Sequence, residues 1–245
     1  RDTIDSMNAL GNSLFNLGRC VEAEQIFRKT LELNRRVRGA EDPNTLMAMH
    51  NIAATLGDQG RYAEAEELYR KALEVQRRVL GTGHPDVTLT LSNLADVLYR
   101  KGDFGGAEIV GREALAVRQK TLGDDHPDVA RSMNNLAAVL EKKQQFAEAE
   151  MLCRQAGAIW QKMLPPEHRL RQFNQNLLGA ILAGNRHYSD AEPLLIYSFE
   201  ILSRDPGIPA DEQLEFLRRL VRLYESWDSS EPGKGYAEKA ADFRA

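Results

Sequence analysis

This chain of 245 residues has no long apolar run and no excess of basic residues, and it contains only two cysteines. No apolar run approaches the ~18 residues that a membrane-spanning helix needs, and no signal-peptide pattern stands at the start. Lysine and arginine number 32 against 36 aspartates and glutamates, whereas nucleic-acid binders normally carry a basic excess. We therefore expect a protein that binds neither membrane nor nucleic acid, and its two cysteines, expected as free thiols, favour a reducing, cytoplasmic setting.

The chain consists instead of a repeated unit, best seen from Gly81 to Leu122. A fixed period of this length is the signature of a solenoid, in which neighbouring units share one continuous core. A solenoid offers a surface to partners, and its sequence does not name them. The positions that recur in register every 42 residues include Asn51, Asn93 and Asn135; Leu31, Leu73 and Leu115; and Gly39, Gly81 and Gly123.

Each unit is predicted to be an antiparallel pair of helices. In the third unit, Leu91, Leu94 and Leu98 recur at the spacing of one helix face. Gly102 is expected to end this first helix and to begin the turn to the second. Pro85 stands at the start of the first helix, where its missing N–H removes no hydrogen bond.

The residues around the turn resemble the tetratricopeptide repeat. The length of 42 residues and the Leu-Gly-x-x-His-Pro link are similar to the kinesin light chain type. This resemblance implies an all-α, right-handed superhelical solenoid of antiparallel helix pairs with about 11 or 12 helices. The runs that carry it are Asn93-Leu94-Ala95, Gly102, Phe104 and Ala107-Glu108 in the third unit, and Gly60 to Glu66 in the second.

We predict one solenoid over 1–245 with atypical ends, as repeat arrays commonly have. Repeat 4 carries Gln144 where the turn glycine is expected. The second helix of repeat 3 contains Gly105, Gly106 and Gly111 in place of larger residues, either through sequence drift or to form a flexible point. The predicted repeats are about 1–42, 43–84, 85–126, 127–168 and 169–203, followed by a capping helix pair at 210–245.

The end of the chain carries a second resemblance. The segments 219–227 and 237–241 resemble the ending of repeat arrays that follow a serine/threonine kinase domain in bacteria. The chain also begins with Arg1 rather than Met and is predicted to enter a helix almost at once. We therefore expect it to be a piece of a longer protein, with any kinase domain before Arg1.

The cysteines and the recurring histidines are predicted to be structural. Cys20 and Cys153 occupy core positions more than three repeats apart, so we expect buried free thiols rather than a disulfide. His84, His126 and His168 would lie about one repeat apart, too far to share a coordination shell of ~2 Å radius, and we expect them to form turns and cap helices. No Ser/His/Asp or Cys/His arrangement stands out. We predict no enzyme, no metal and no cofactor.

A row of asparagines is predicted to lie off the apolar face of the first helices. At 100° per residue, Asn93 points about 150° away from the buried positions of its helix, and Asn51 and Asn135 share its place. The resemblance implies that this side lines a concave groove, where an amide that both donates and accepts grips the backbone of an extended peptide. Alternatively, these asparagines were copied with the repeat and bond to a neighbouring helix.

The same helical phase selects the remaining groove positions. Their charge drifts from neutral or acidic to basic along the chain, so we expect a peptide with acidic residues near the C-terminal repeats, since arginine suits carboxylates. The alternative is a solvated helix face. The candidate peptide-binding residues are Asn8, Asn12, His50, Asn51, Asn93, Asp96, Tyr99, Arg100, Arg131, Asn134, Asn135, Lys142, Phe173, Asn176, Arg218 and Arg222.

The sequence therefore predicts a non-enzymatic scaffold that binds a peptide or a partner protein in a concave groove. Several weak contacts would give micromolar affinity for a short peptide, about −8 kcal/mol. Two alternatives stay open. One is a structural module that self-associates through its helix faces or its ends. The other is a regulatory or substrate-docking arm of a larger enzyme, most plausibly a serine/threonine kinase.

Overall fold

The chain folds into helices joined by short turns. The computed structural model describes residues 2–244, and over this range it contains twelve α-helices and no strand. None of these twelve is both long and apolar enough to cross a membrane. The predicted all-α class and number of helices are confirmed. The chain divides into two compact units between Thr121 and Leu122.

The helices come in consecutive pairs, and we call the odd-numbered member of each pair its first helix and the even-numbered member its second helix. The repeat limits themselves stay a prediction. The helices are α1 (Asp2–Asn16), α2 (Cys20–Arg38), α3 (Pro43–Asp58), α4 (Tyr62–Leu80), α5 (Pro85–Lys101), α6 (Phe104–Leu122), α7 (Pro127–Lys142), α8 (Phe146–Met163), α9 (Arg169–Gly184), α10 (Tyr188–Leu202), α11 (Ala210–Ser230) and α12 (Tyr236–Asp242).

The core of each unit is made by the apolar faces of its helix pairs. In α5 the expected residues Leu91, Leu94 and Leu98 are all buried. They are joined from the second helices by small alanines, such as Ala65 and Ala149, which are fully buried and let the helices approach closely. Because these faces point into the pairs, the opposite sides of the first helices are left for other contacts.

The turns within the pairs use a left-handed residue, as expected. Gly102 ends α5 with φ 88° and ψ 5°, a conformation that glycine adopts without a steric penalty. The corresponding position after α7 is Gln144, which holds φ 59°, and after α9 it is Arg186 with φ 64°. These two turns keep the geometry of the repeat at the cost of backbone strain.

The recurring histidines cap helices, which confirms the role predicted for them. The Nδ1 atom of His84 accepts a hydrogen bond from the backbone N–H of Asp86 at 3.2 Å. His126 does the same for α7 at 3.1 Å, and His168 for α9 at 3.2 Å. Each ring therefore satisfies one of the backbone donors that a helix N-terminus leaves unpaired.

The cysteines and the glycines of repeat 3 differ partly from expectation. Both thiols are free and Cys153 is buried, but Cys20 is only half-buried at the start of α2. Gly105 and Gly106 lie in the first turn of an unbroken α6. A Cβ on Gly106 would stand 2.5 Å from Asp103 Oδ2, and Asp103 Oδ1 accepts the Gly106 N–H at 2.9 Å. Gly106 thus makes room for a carboxylate cap.

The last helix pair is unequal. Helix α11 has 21 residues, whereas α12 has 7. Aromatic contacts hold α12: the rings of Trp227 and Tyr236 stack with centroids 4.1 Å apart, and those of Tyr224 and Phe243 stack at 6.0 Å. A helix this short is not stable by itself, so its position depends on these contacts.

Candidate functional site

All sixteen candidate residues lie on first helices. We call the surface that they form on α1, α3 and α5 the groove face of the first unit, and the surface on α7, α9 and α11 the groove face of the second unit. Within a unit, hydrogen bonds join neighbouring first helices across this face. These bonds decide which of the candidate side chains remain available to a ligand.

In the first unit, one candidate is buried and seven are accessible to different degrees. His50 is 8% exposed and lies beneath the surface. The exposed candidates are Asn12, Asp96 and Arg100, and the half-buried ones are Asn8, Asn51, Asn93 and Tyr99.

His50 and Asn93 form a bonded pair that joins α3 to α5. Asn93 Nδ2 donates to His50 Nε2 at 2.9 Å, and Asn93 also bonds to the hydroxyl of Tyr69. The edge of the His50 ring meets the Tyr69 ring at 5.3 Å. Burial lowers the pKa of His50 and raises that of Tyr69, so both rings are neutral near pH 7. The amide of Asn93 therefore bonds a neighbouring helix, as the alternative interpretation predicted.

Arg100 forms the second bridge across the groove face of the first unit. Its Nη1 atom donates to Asp58 Oδ1 at 2.9 Å and lies 4.0 Å from Asp96 Oδ2. The guanidinium also stands over the ring of Tyr62, 5.4 Å from its centroid. These contacts orient the Arg100 fork on the surface, and their solvent exposure limits what they add to stability.

Four candidate amides are left without a partner. Over residues 2–244, no side-chain hydrogen bond to another protein group is made by Asn8, Asn12, Asn51 or Asn135. Asn51 is half-buried on α3, and Asn135 is exposed on α7. The first unit and the second unit thus each retain at least one amide whose donors and acceptor are free for a ligand.

In the second unit, two candidate amides are used inside the protein. Asn134 Oδ1 accepts from Nδ2 of the buried Asn174 at 3.0 Å. Asn176 was expected on the groove face but is fully buried. Its Nδ2 donates to Ser198 Oγ at 2.9 Å, and its Oδ1 accepts from Arg219 Nη1 at 2.7 Å. These partners from α10 and α11 hold the amide in the interior, which corrects its expected accessibility.

Asn174 and Ser198 are the residues that sequence reasoning missed. Asn174 also donates to the backbone oxygen of Cys153 at 2.9 Å, and burial raises the pKa of the Cys153 thiol to about 12. The sequence signal for Asn174 was the segment Gln172–Asn176, whose amide side chains interrupt the apolar pattern of α9. Phe173 in this run is half-buried, and its ring meets that of Phe216 edge-on at 5.6 Å.

The basic candidates of the second unit have acidic neighbours on their own helices. Arg222 donates to Glu215, and Arg218 lies 4.0 Å from the same carboxylate. The remaining pairs are Arg131 with Asp128 at 3.8 Å and Lys142 with Glu141 at 3.2 Å. The basic character of this face is therefore partly offset. Among residues 2–244, no three His, Cys, Asp or Glu side chains are grouped to hold a metal ion.

A family model described as tetratricopeptide repeat matches the chain three times, over residues 2–78, 48–120 and 86–162. Together these matches reach from residue 2 to residue 162 of the 245. No protein with a curated description matches the chain.

Solved structures of repeat proteins share the fold. The nearly identical TPR-like repeats described as a kinesin light chain of Podosopora anserina are 25% identical, with a TM-score of 0.72 over 82% of this chain and 95% of that one. BtubC (BKLC) from P. vanneervenii is 22% identical, with a TM-score of 0.71 over 84% and 82%. The pilF protein of Pseudomonas aeruginosa is 21% identical, with a TM-score of 0.61 over 99% and 89%.

Proposed function

Because the chain belongs to the tetratricopeptide repeat family, whose repeats typically serve as non-catalytic interaction scaffolds, we propose that it binds an extended peptide segment of a partner protein. The peptide lies along the groove face of a single unit. The observation that carries this proposal is the pair of unbonded amides at corresponding positions, Asn51 in the first unit and Asn135 in the second.

The energetics of asparagine support a ligand-binding role for these two side chains. Asparagine in a helix interior is less favourable than alanine by ~0.5 kcal/mol. At Asn93 the amide offsets this penalty by bonding to His50 and Tyr69. Asn51 and Asn135 have no such partner within the described residues. A peptide backbone, with one donor and one acceptor per residue, supplies the partner that they lack.

We further propose that the peptide presents acidic residues to the second unit. Four basic candidates stand on that groove face: Arg131, Lys142, Arg218 and Arg222. A ligand carboxylate competes there with the chain's own acids for exposed guanidinium groups. The double variant Arg131→Glu, Arg222→Glu should bind an acidic peptide more weakly than the parent does. Its affinity for a neutral peptide should be unchanged. Equal affinity of the double variant for the acidic peptide would rule out this charge preference.

The peptide-binding proposal is tested with an unbiased peptide-display library selected on the intact chain. Calorimetry then compares a selected peptide on the parent, on Asn51→Ala, on Asn135→Ala and on a control, Gln155→Ala, which changes an exposed amide on the second helix α8. Loss of one amide contact should weaken binding about tenfold, and Gln155→Ala should have no effect. Failure to select any peptide, or equal affinity for all four proteins, contradicts the proposal.

Self-association is the second candidate function, because α11 exposes an apolar strip. Leu214 is 49% exposed, and the half-buried Leu217, Val221 and Phe243 lie beside it. Size exclusion with light scattering at low micromolar concentration decides this point. A stable dimer that Leu214→Glu dissociates would favour self-association, whereas a monomer would exclude it.

A further inference from the structure

The groove face of the second unit contains a cavity of about 170 Å³, which is lined by its three first helices and by Phe146 of α8. This volume far exceeds the 10–15 Å³ that one water molecule requires, and it is large enough for an amino-acid side chain. The residues that matter for its chemistry are Glu141 on α7, Ala180 and Ala183 on α9, and Arg219, Arg222 and Ser226 on α11.

In α9, the cavity is lined by small residues at positions where repeat 3 carries larger ones. Ala180 and Ala183 lie 84 residues, or two repeats, after Asp96 and Tyr99. Two methyl groups occupy less volume than a carboxylate side chain and a phenol ring, which leaves room beside Glu141 of α7 and Arg219 of α11. Repeat 2 also carries small residues at these positions, Ala54 and Gly57. The gap in repeat 5 opens on the proposed path of the peptide.

Two charged residues on the cavity wall have unused hydrogen-bonding capacity. The Glu141 side chain is 17% exposed, and its Oε2 forms an ion pair with Lys142 Nζ at 3.2 Å. This contact lacks hydrogen-bond geometry, so Oε2 accepts no hydrogen bond from the described residues. The Arg219 side chain is 13% exposed and bonds to Asn176 through Nη1. Its Nε lies 3.8 Å from Glu215 Oε1 and donates no hydrogen bond within residues 2–244.

The arrangement of opposite charges decides which ligand group fits. A lysine or arginine side chain would meet the guanidinium groups of Arg219 and Arg222, and a carboxylate would meet Glu141. An aliphatic side chain would leave the polar wall unpaired. A primary amide is neutral, donates through its NH₂ and accepts through its oxygen. It can therefore bond to Glu141 and to an arginine at the same time.

We propose that this cavity is a specificity pocket that takes the carboxamide of a glutamine or asparagine side chain in the bound peptide. The amide NH₂ donates to the Glu141 carboxylate, and the amide oxygen accepts from Arg219 or Arg222. The aliphatic part of the side chain packs on Ala180 and Ala183. This inference rests on the proposed peptide-binding function and names the side chain that one site on the groove face selects.

The test uses an array of decapeptides in which one central position is fixed as each amino acid and the other positions are random. Four proteins are applied: the parent, Ala180→Leu, Ala138→Leu and Glu141→Gln. Ala180→Leu fills the cavity. Ala138→Leu makes the same change one repeat earlier, at a half-buried alanine that does not line it. Circular dichroism melts verify that each variant is folded.

The parent should bind peptides with fixed glutamine or asparagine about tenfold better than those with leucine, glutamate or lysine. Ala180→Leu should remove this preference, and Ala138→Leu should keep it. Glu141→Gln removes the charge that repels an acid and leaves both arginines, so its preferred residue should change from glutamine to glutamate.

Three results would overturn the inference. Binding without a glutamine or asparagine preference rejects the pocket and leaves the groove function intact. If the glutamine or asparagine preference survives in Ala180→Leu, or does not change in Glu141→Gln, the cavity beside Glu141 is not the site of that preference. No binding of any peptide by the parent rejects the proposed function, and the pocket with it.

Discussion

At the scale of single residues, Gln144 is a strained position that can be improved. It holds φ 59° in the turn after α7, a left-handed conformation that is unfavourable for any residue with a Cβ. Gln144→Gly should raise the free energy of unfolding by about 1 kcal/mol, because glycine adopts this conformation without a clash. Urea denaturation monitored by circular dichroism measures the change.

The control for this prediction is the next residue along the chain. Gln145 has φ −88° and ψ 59°, so a glycine there relieves no left-handed strain and only loosens the unfolded chain. Gln145→Gly should leave stability unchanged or lower it. If both variants were destabilised equally, the strain assigned to Gln144 would be absent.

The buried His50 predicts a pH dependence of stability. Burial lowers its pKa, although Asp86 opposes part of the shift. The folded chain therefore keeps His50 neutral while the unfolded chain takes up a proton as the pH falls below about 6.5. Because the unfolded state then binds more protons, stability decreases between pH 6.5 and the lower folded pKa, with a slope of at most about 1.4 kcal/mol per pH unit.

The measurement is the free energy of unfolding at pH 7.5 and at pH 5.5 for the parent and for His50→Gln. Acidification should destabilise the parent more than the variant, because glutamine does not titrate in this range. An equal pH response of the two proteins would mean that His50 already exchanges its proton freely in the folded state.

The repeat period predicted where the asparagines lie but not which of them would be used. Asn51 and Asn93 share one helical phase, yet only Asn93 faces a histidine from the preceding first helix. The residue that corresponds to His50 one repeat earlier is Asn8, whose Oδ1 is itself buried without a partner. Such choices depend on a neighbour 43 residues away, and a pattern within one helix does not contain them.

At the scale of helices, the histidine caps make a testable contribution. His126→Ala removes the acceptor for the Asp128 N–H and should lower the free energy of unfolding by about 1 kcal/mol, the usual effect of losing an N-cap. His187→Ala is the matched control, because His187 precedes α10 without a side-chain cap. Thermal melts compare the two. An equal loss in both would contradict the capping role.

Helix α12 is expected to depend on one aromatic stack. Tyr236→Ala removes the ring that lies 4.1 Å from that of Trp227, and a helix of 7 residues cannot persist without docking. Hydrogen exchange should show faster exchange of the amides at 236–242 and little change in α7 and α8. The control Glu238→Ala changes an exposed residue of the same helix. Unchanged exchange in Tyr236→Ala would show that other contacts hold α12.

The helices themselves were largely predictable, because the leucine spacing marks them, with a turn glycine and a starting proline in repeats 2 and 3. The helix starts at Pro85 and Pro127 agree with the proline rule. Repeat 5 was harder, since it lacks that proline and places polar residues inside. The burial of Asn176 follows from Ser198 and Arg219, which belong to two other helices and carry no mark of this contact in the sequence.

At the scale of the molecule, each unit is a set of helix pairs whose first helices leave one face for a partner. The tetratricopeptide repeat explains the core, the turns and the caps without reference to function. What remains is polar: the free amides Asn8, Asn12, Asn51 and Asn135, the oriented Arg100, and the wall of the cavity beside Glu141. Peptide binding on the groove faces accounts for these residues together.

The central claim is that a peptide backbone bonds to the free amides of the first helices. A crystal structure of the chain with a peptide selected from the display library tests it most directly. We expect the peptide to lie along a groove face, with its backbone hydrogen-bonded to the side chain of Asn51 or Asn135. A peptide seated on the second helices or on the strip of α11 around Leu214, with both amides unbonded, would contradict the claim.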